Sequence, residues 1–268
     1  MRCDKRDWFT PSAVCLTMKR SIFVLLSLSQ LCTTRGLSAL EVPPDVCSVK
    51  ISSVGETLIG RHFSPRLSDK SSKAPAVLLL HGIPGTEQNF DVAYALRDAG
   101  FHCLLFHYRG CWGSEGSYSI TGLPEDISNA FRWFTSHPNV DAQRIIVTGH
   151  SLGGYHALRL AAESLSGGVH GLSLRGVAAL CPLVGTDSVG VPLSDDLASD
   201  FAQFLRDVSP EKLQEQWAGL RATKEILGDV PVQYGTSKLP VLVLTGDADP
   251  LFSPGYYERH LQGALKGC

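Results

Sequence analysis

One hexapeptide constrains this chain more than any other: Gly149-His150-Ser151-Leu152-Gly153-Gly154 sits between an apolar run, Arg144 to Thr148, and a helical pattern from Leu152 to Ser164. A serine held at a strand-to-helix turn occupies a strained backbone position, and glycines two residues to either side let the chain close without Cβ clashes. The turn projects the hydroxyl above a sheet edge, and the helix start aims free N–H groups at any negative charge developing there. Gly-Ser-Gly also occurs in ordinary turns; the flanking strand and helix select the nucleophile reading.

The rest of the chain supplies the sheet such a turn requires. Val46 to Ser52 and Thr57 to Phe63 alternate about Gly55-Glu56 as a hairpin, and a polar loop follows from Ser64 to Lys73. From Ala76 the pattern is apolar strand, glycine turn, helix: strands at 76–80, 101–106, 144–148, 174–180 and 240–245, helices at 88–98, 127–134 and 152–164. Gly100 stands where a helix C-terminus wants glycine, and Pro124-Glu125-Asp126 where a helix N-terminus wants proline and acids. This alternation predicts an α/β fold with a mostly parallel central sheet covered by helices on both faces. Between 184 and 236 the period turns helical, with one stripe through Leu197, Phe201, Phe204 and Leu205 and a second through Leu213, Trp217 and Leu220. Two readings stay open there: a small helical cap, or an ordinary pair of packing helices.

Together with the serine turn, His81-Gly82-Ile83-Pro84-Gly85 after the first buried strand, the loop Tyr108-Arg109-Gly110 to Gly113-Ser114-Glu115-Gly116, and Leu244-Thr245-Gly246-Asp247-Ala248-Asp249-Pro250 make the chain from Val46 onwards resemble the α/β-hydrolase superfamily. The resemblance implies Ser151 as nucleophile and Asp249 as the acid that orients a catalytic imidazole. It also implies an oxyanion hole built from the backbone N–H groups of Ile83 and Leu152. Asp247 is expected to cap its turn, and Arg109 to anchor loops rather than face substrate. The loop after Tyr108 and the short cap look closer to serine peptidase-like and carboxylesterase members than to true lipases.

The order Ser then Asp calls for a histidine further on, and only His260 follows Asp249. Relatives place that histidine after a helix and one more strand, at least about 20 residues past the acid, and 19 residues remain. A helix starting near Pro254 would carry His260 about 9 Å from the sheet edge, which favours a surface histidine. None of His81, His102, His107, His150 and His156 fits the base role by order. The expectation is therefore a truncated or alternatively ended form in which the last strand and its histidine loop are missing. Two functions compete: a serine hydrolase of ester or small amide or peptide bonds acting through an acyl-enzyme at Ser151, and a catalytically inactive relative with a binding or regulatory role.

Composition narrows the remainder. At 268 residues, 44% apolar and net charge -2, the chain suits one catalytic domain, placed at 46–268. Mixed charges without a basic stripe exclude a nucleic-acid partner. Residues 1–39 hold six Lys or Arg against two Asp and an apolar run from Ile22 to Leu31, the marks of a secretory signal, read from Met1 or Met18, or of an organelle transit peptide. That run falls short of the ~20 apolar residues a spanning helix needs, so no stable membrane insertion is expected, and the expected location is secreted or organellar, or cytoplasmic if the leader is a gene-model artefact. The eight cysteines show neither a disulfide framework nor zinc-site spacing. Cys103 and Cys181 read as buried strand residues, while Cys47, Cys111 and Cys268 stay undecided. No metal and no organic cofactor is implied.

Overall fold

The computed structural model describes residues 41–86, 89–165, 174–184, 192–221, 239–249, 251–252 and 254–261. The leader expected at 1–39 lies outside them, as do 185–191 and 222–236 of the expected cap and the C-terminal 262–268.

Strands β1 (Asp45–Ser53) and β2 (Glu56–Ser64) form the hairpin with an unbroken nine-pair register. The turn is Val54-Gly55, one residue earlier than expected, because both residues adopt positive φ (53° and 83°), the signature of a type I′ connection. Strands β3 (Ala74–Leu80), β4 (His102–Phe106), β5 (Val140–His150), β6 (Leu174–Leu180) and β7 (Val241–Leu244) complete one sheet of order β1-β2-β4-β3-β5-β6-β7. Its two β2 pairings are antiparallel and the other four are parallel. The strands read as unbroken apolar runs because both faces are covered: β4 is buried at all five positions and β3 at six of seven.

Helices α1 (Phe90–Asp98), α2 (Leu123–Thr135) and α3 (Leu152–Leu165) connect these strands. Gly100, at φ 96°, closes α1 as expected. Helix α2 begins four residues before Ile127, since Pro124 sits inside its first turn, where a missing N–H costs nothing. Sheet alternation divides the core. Leu79, Val77 and Phe63 face α1, while Leu78, Leu80 and Leu58 join the larger cluster with α2 and α3.

Helices α4 (Asp195–Ala202) and α5 (Pro210–Ala218) are each opened by a serine, Ser194 and Ser209, whose hydroxyl accepts from the N–H three residues on. Ala198, Leu213 and Trp217 are buried in the main core cluster, and Ala202 is buried as well. Phe204 departs from the expected stripe: α4 ends at Ala202, so the helical period stops before Phe204, which is exposed. Helix α6 (Pro254–Leu261) starts at Pro254 and includes His260. Among the described residues no helix is long and apolar enough to cross a membrane.

Candidate active site

The C-terminal ends of the parallel strands converge on Ser151. Its φ is 53°, a left-handed conformation uncommon for a residue other than glycine and confined to positions the surroundings over-determine. Three backbone hydrogen bonds supply that determination. Ser151 N–H donates to Leu180 O (3.0 Å), and Ser151 O accepts from Tyr155 N and from Leu183 N (3.0 Å each).

The motif glycines are sites of backbone contact. A Cβ on Gly149 would lie 2.2 Å from Gly153 O, and a Cβ on Gly153 would lie 2.2 Å from Leu80 O and 2.6 Å from His81 O. Gly153 therefore lets the first turn of α3 press on the exit of β3, where Gly82 and Ile83 begin. Leu152 is fully buried as the first residue of α3, so its N–H lies outside the intrahelical ladder. Ile83 is half-buried and is joined to Pro84 by a cis peptide bond. The structure thus brings the two expected oxyanion donors to adjoining segments.

His81 is buried and held. Its Nδ1 lies 2.6 Å from Gly82 O, its Nε2 accepts from Tyr108 N–H at 3.4 Å, and the Tyr108 hydroxyl donates to His81 O at 3.1 Å. Those contacts assign the proton to Nδ1 and engage the remaining lone pair. His156, also buried, accepts at Nδ1 from Arg159 (3.4 Å), and desolvation pushes its pKa well below the ordinary value. Both imidazoles serve the scaffold.

Asp249 follows β7. Its Oδ1 accepts from Leu251 N–H (2.8 Å) and Phe252 N–H (3.0 Å). Asp247 is exposed, and the turn-capping bonds expected of it are made by Asp249, because the chain bends back over Asp249 at residues 251–252. Cys181 and Tyr257, neither singled out for this site in the sequence, lie beside that carboxylate. Burial and the nearby Asp249 push the Cys181 thiol up, and burial followed by Cys181 and Asp249 pushes the Tyr257 phenol up. The Tyr257 hydroxyl is buried without a hydrogen-bond partner among the described residues. Cys181 is not the buried strand residue expected: it stands one position past β6, half-exposed and at φ 40°, because the chain turns there towards the Leu183 contact with Ser151. Cys103 is the inert buried thiol anticipated, its pKa raised by desolvation.

Arg109 anchors loops. Its guanidinium and backbone N–H all bond the buried carboxylate of Asp126 (2.7–3.0 Å), which also accepts from Ser53 Oγ at 2.7 Å. Asp126 read as a helix-start acid; its spacing from Arg109 carries no local signal, so the pairing emerges only from the fold. Among the described residues no group of three or more His, Cys, Asp or Glu is arranged to hold a metal ion.

Strand order, the serine turn after β5 and the acid turn after β7 are those of the α/β-hydrolase fold, and the chain is similar to members of the α/β-hydrolase superfamily. The family model described as the alpha/beta hydrolase fold matches residues 75–196. Among curated proteins, an uncharacterised Mycobacterium tuberculosis protein is 35% identical over 127 residues, 47% of this chain and 44% of that one. The lysophosphatidylserine lipase ABHD12 of Danio rerio is 33% identical over 85 residues, 31% of this chain and 22% of the lipase. The chain thus matches under half the length of these relatives. Of solved structures, DcsB in complex with a substrate analogue superposes with TM-score 0.63 at 18% identity, over 81% of this chain and 86% of that one. The Pyrococcus furiosus esterase PF2001 does so with TM-score 0.55 at 17% identity, over 82% and 78%.

Proposed function

We propose that the protein is a serine hydrolase that cleaves ester or small amide or peptide bonds through an acyl-enzyme at Ser151. The observation carrying this reading is the serine's φ of 53°, locked by three backbone hydrogen bonds at the join of β5 and α3. A fold tolerates that strain, worth about 1–3 kcal/mol, where the position is used. In this reading Ser151 Oγ attacks the substrate carbonyl, its proton passes to the imidazole of a histidine that by chain order follows Asp249 and from there to the departing alcohol or amine, and the N–H groups of Ile83 and Leu152 hold the oxyanion. The acyl-enzyme is then hydrolysed by water. Asp249 would orient that imidazole: β5 and β7 are two strands apart, about 10 Å, with β6 between them. The Oδ1 bonds to Leu251 and Phe252 fix the carboxylate's direction.

The similarity to an esterase fold and to a lipase's sequence agrees with ester cleavage. Labelling with a fluorophosphonate probe tests the assignment. The protein should label, Ser151→Ala should abolish labelling while leaving the circular dichroism spectrum unchanged, and p-nitrophenyl acetate turnover should fall by up to ~10⁶-fold if Ser151 leads a complete triad. A folded protein that does not label would instead support an inactive relative with a binding role.

A further inference from the structure

Two large aromatic rings stand in solvent above the same sheet edge. Trp112 is 43% exposed and Phe204 45%, and they stack with centroids 6.0 Å apart and planes at 19°. Trp112 holds φ 40°, and its indole N–H donates to Pro84 O at 3.2 Å, one residue past Ile83. The pair is carried on interlocked backbone: Cys111 bridges Leu205, Arg206 N–H donates to Gly110 O at 3.0 Å, and the Arg206 guanidinium reaches Ser114 O and Gly116 O. Burying two such rings would normally contribute several kcal/mol, so a rigid frame that holds them out in water reserves them for a ligand.

Towards the first strands the Trp112 ring walls a hollow of about 230 Å³, shared with Ile59, Arg61, Phe90 and His107. Ile59, Phe90, Leu105 and Trp112 give the hollow its apolar walls, and among the described residues that line it none is acidic and Arg61 is the one permanent cation. A bond from Arg61 Nη1 to Ser48 Oγ (3.0 Å) orients the guanidinium and leaves its remaining N–H groups available. The hollow lies by β2 and β4, whereas Ser151 leaves β5, so two to three strand spacings, about 10 to 14 Å, separate them.

We propose that this hollow is the distal subsite of the substrate: it receives the far end of a long apolar acyl chain, and that end carries an anionic group met by Arg61. A short acyl group cannot cover the distance, and a neutral one leaves the cation unused. The proposal rests on the hydrolase reading of Ser151.

Hydrolysis of p-nitrophenyl half-esters of dicarboxylic acids tests it. The dodecanedioate half-ester should exceed p-nitrophenyl dodecanoate in kcat/KM by about tenfold, the order expected of a hydrogen bond to a charged group, and the succinate half-ester should show no advantage over the butyrate. Arg61→Gln should erase the long-chain difference, and Trp112→Phe should weaken both long esters less than Trp112→Ala. Turnover of p-nitrophenyl acetate without any dependence on chain length or charge overturns the subsite alone. Calorimetric binding of monomethyl dodecanedioate to Ser151→Ala separates the two readings: Arg61-dependent binding in a protein whose wild type never turns over any ester keeps the site and sinks the hydrolase. Absence of such binding sinks the site.

Discussion

Arg109 and Asp126 show what a single buried pair does here. Asp126 is fully buried and receives four hydrogen bonds from Arg109 and one from Ser53, so helix α2 is tied both to the loop after β4 and to the end of β1. Asn129 extends the link by donating to Ser53 Oγ at 2.8 Å. Removing one member of a buried pair strands the other charge, so Asp126→Ala is expected to cost about 3–5 kcal/mol, read as a lower urea midpoint. An unchanged midpoint would show that water reaches Arg109 freely. Ser151 and the motif glycines were legible from residue spacing, since their geometry is set within six residues. Cys181, Tyr257 and Asp126 were not, because each acts through a partner distant in sequence.

At the scale of elements, the β1–β2 hairpin carries an avoidable strain. Its turn needs positive φ at both central positions, yet the first is Val54, a β-branched residue 56% exposed that gains nothing from burial. Val54→Asn is expected to raise stability by roughly 1 kcal/mol, measurable as a higher melting temperature; a lower one would mean the turn is not of this type. Strand and helix existence was readable throughout because apolar periods of two, or unbroken apolar runs, differ from the helical period. Boundaries moved where a local signal was weak. Strand β5 begins at Val140, four residues earlier than its apolar run implies, since Val140 pairs with Ala74 and the register then shifts before Ile145 meets Ala76.

For the molecule as a whole, acid sensitivity follows from an imidazole cluster away from the serine. His62 Nε2 and His102 Nδ1 are 3.1 Å apart, and the His137 ring lies 4.5 Å from that of His62 by centroid, with Trp133 and Phe134 edge-on. Desolvation, then the neighbouring imidazoles, pushes His62 down to about 3, and desolvation, then His137, pushes His102 down to about 4. Unfolded, both titrate near 6.5, so as pH falls below that value the unfolded chain binds protons the folded one refuses. Their contribution to stability is full above about pH 6.5 and is lost progressively towards pH 4. Two such groups give a slope approaching about 2.7 kcal/mol per pH unit. Urea denaturation between pH 7.5 and 4.5 should show that loss, and His62→Phe should flatten it; an equal slope in the variant would place the acid sensitivity elsewhere.

The linear order of residues decided the class of fold, the strand-turn-helix around Ser151 and the place of Asp249, because hydrophobic period and glycine placement act over a few neighbouring residues. Packing decided the rest: the clamp of Leu180 and Leu183 on Ser151, the seat of Asp126 under Arg109, the Cys181 and Tyr257 walls of the Asp249 turn, and the aromatic pair beside the loop at Pro84. These join residues that only the stacking order of the strands brings within reach of one another, and no local period encodes such distances.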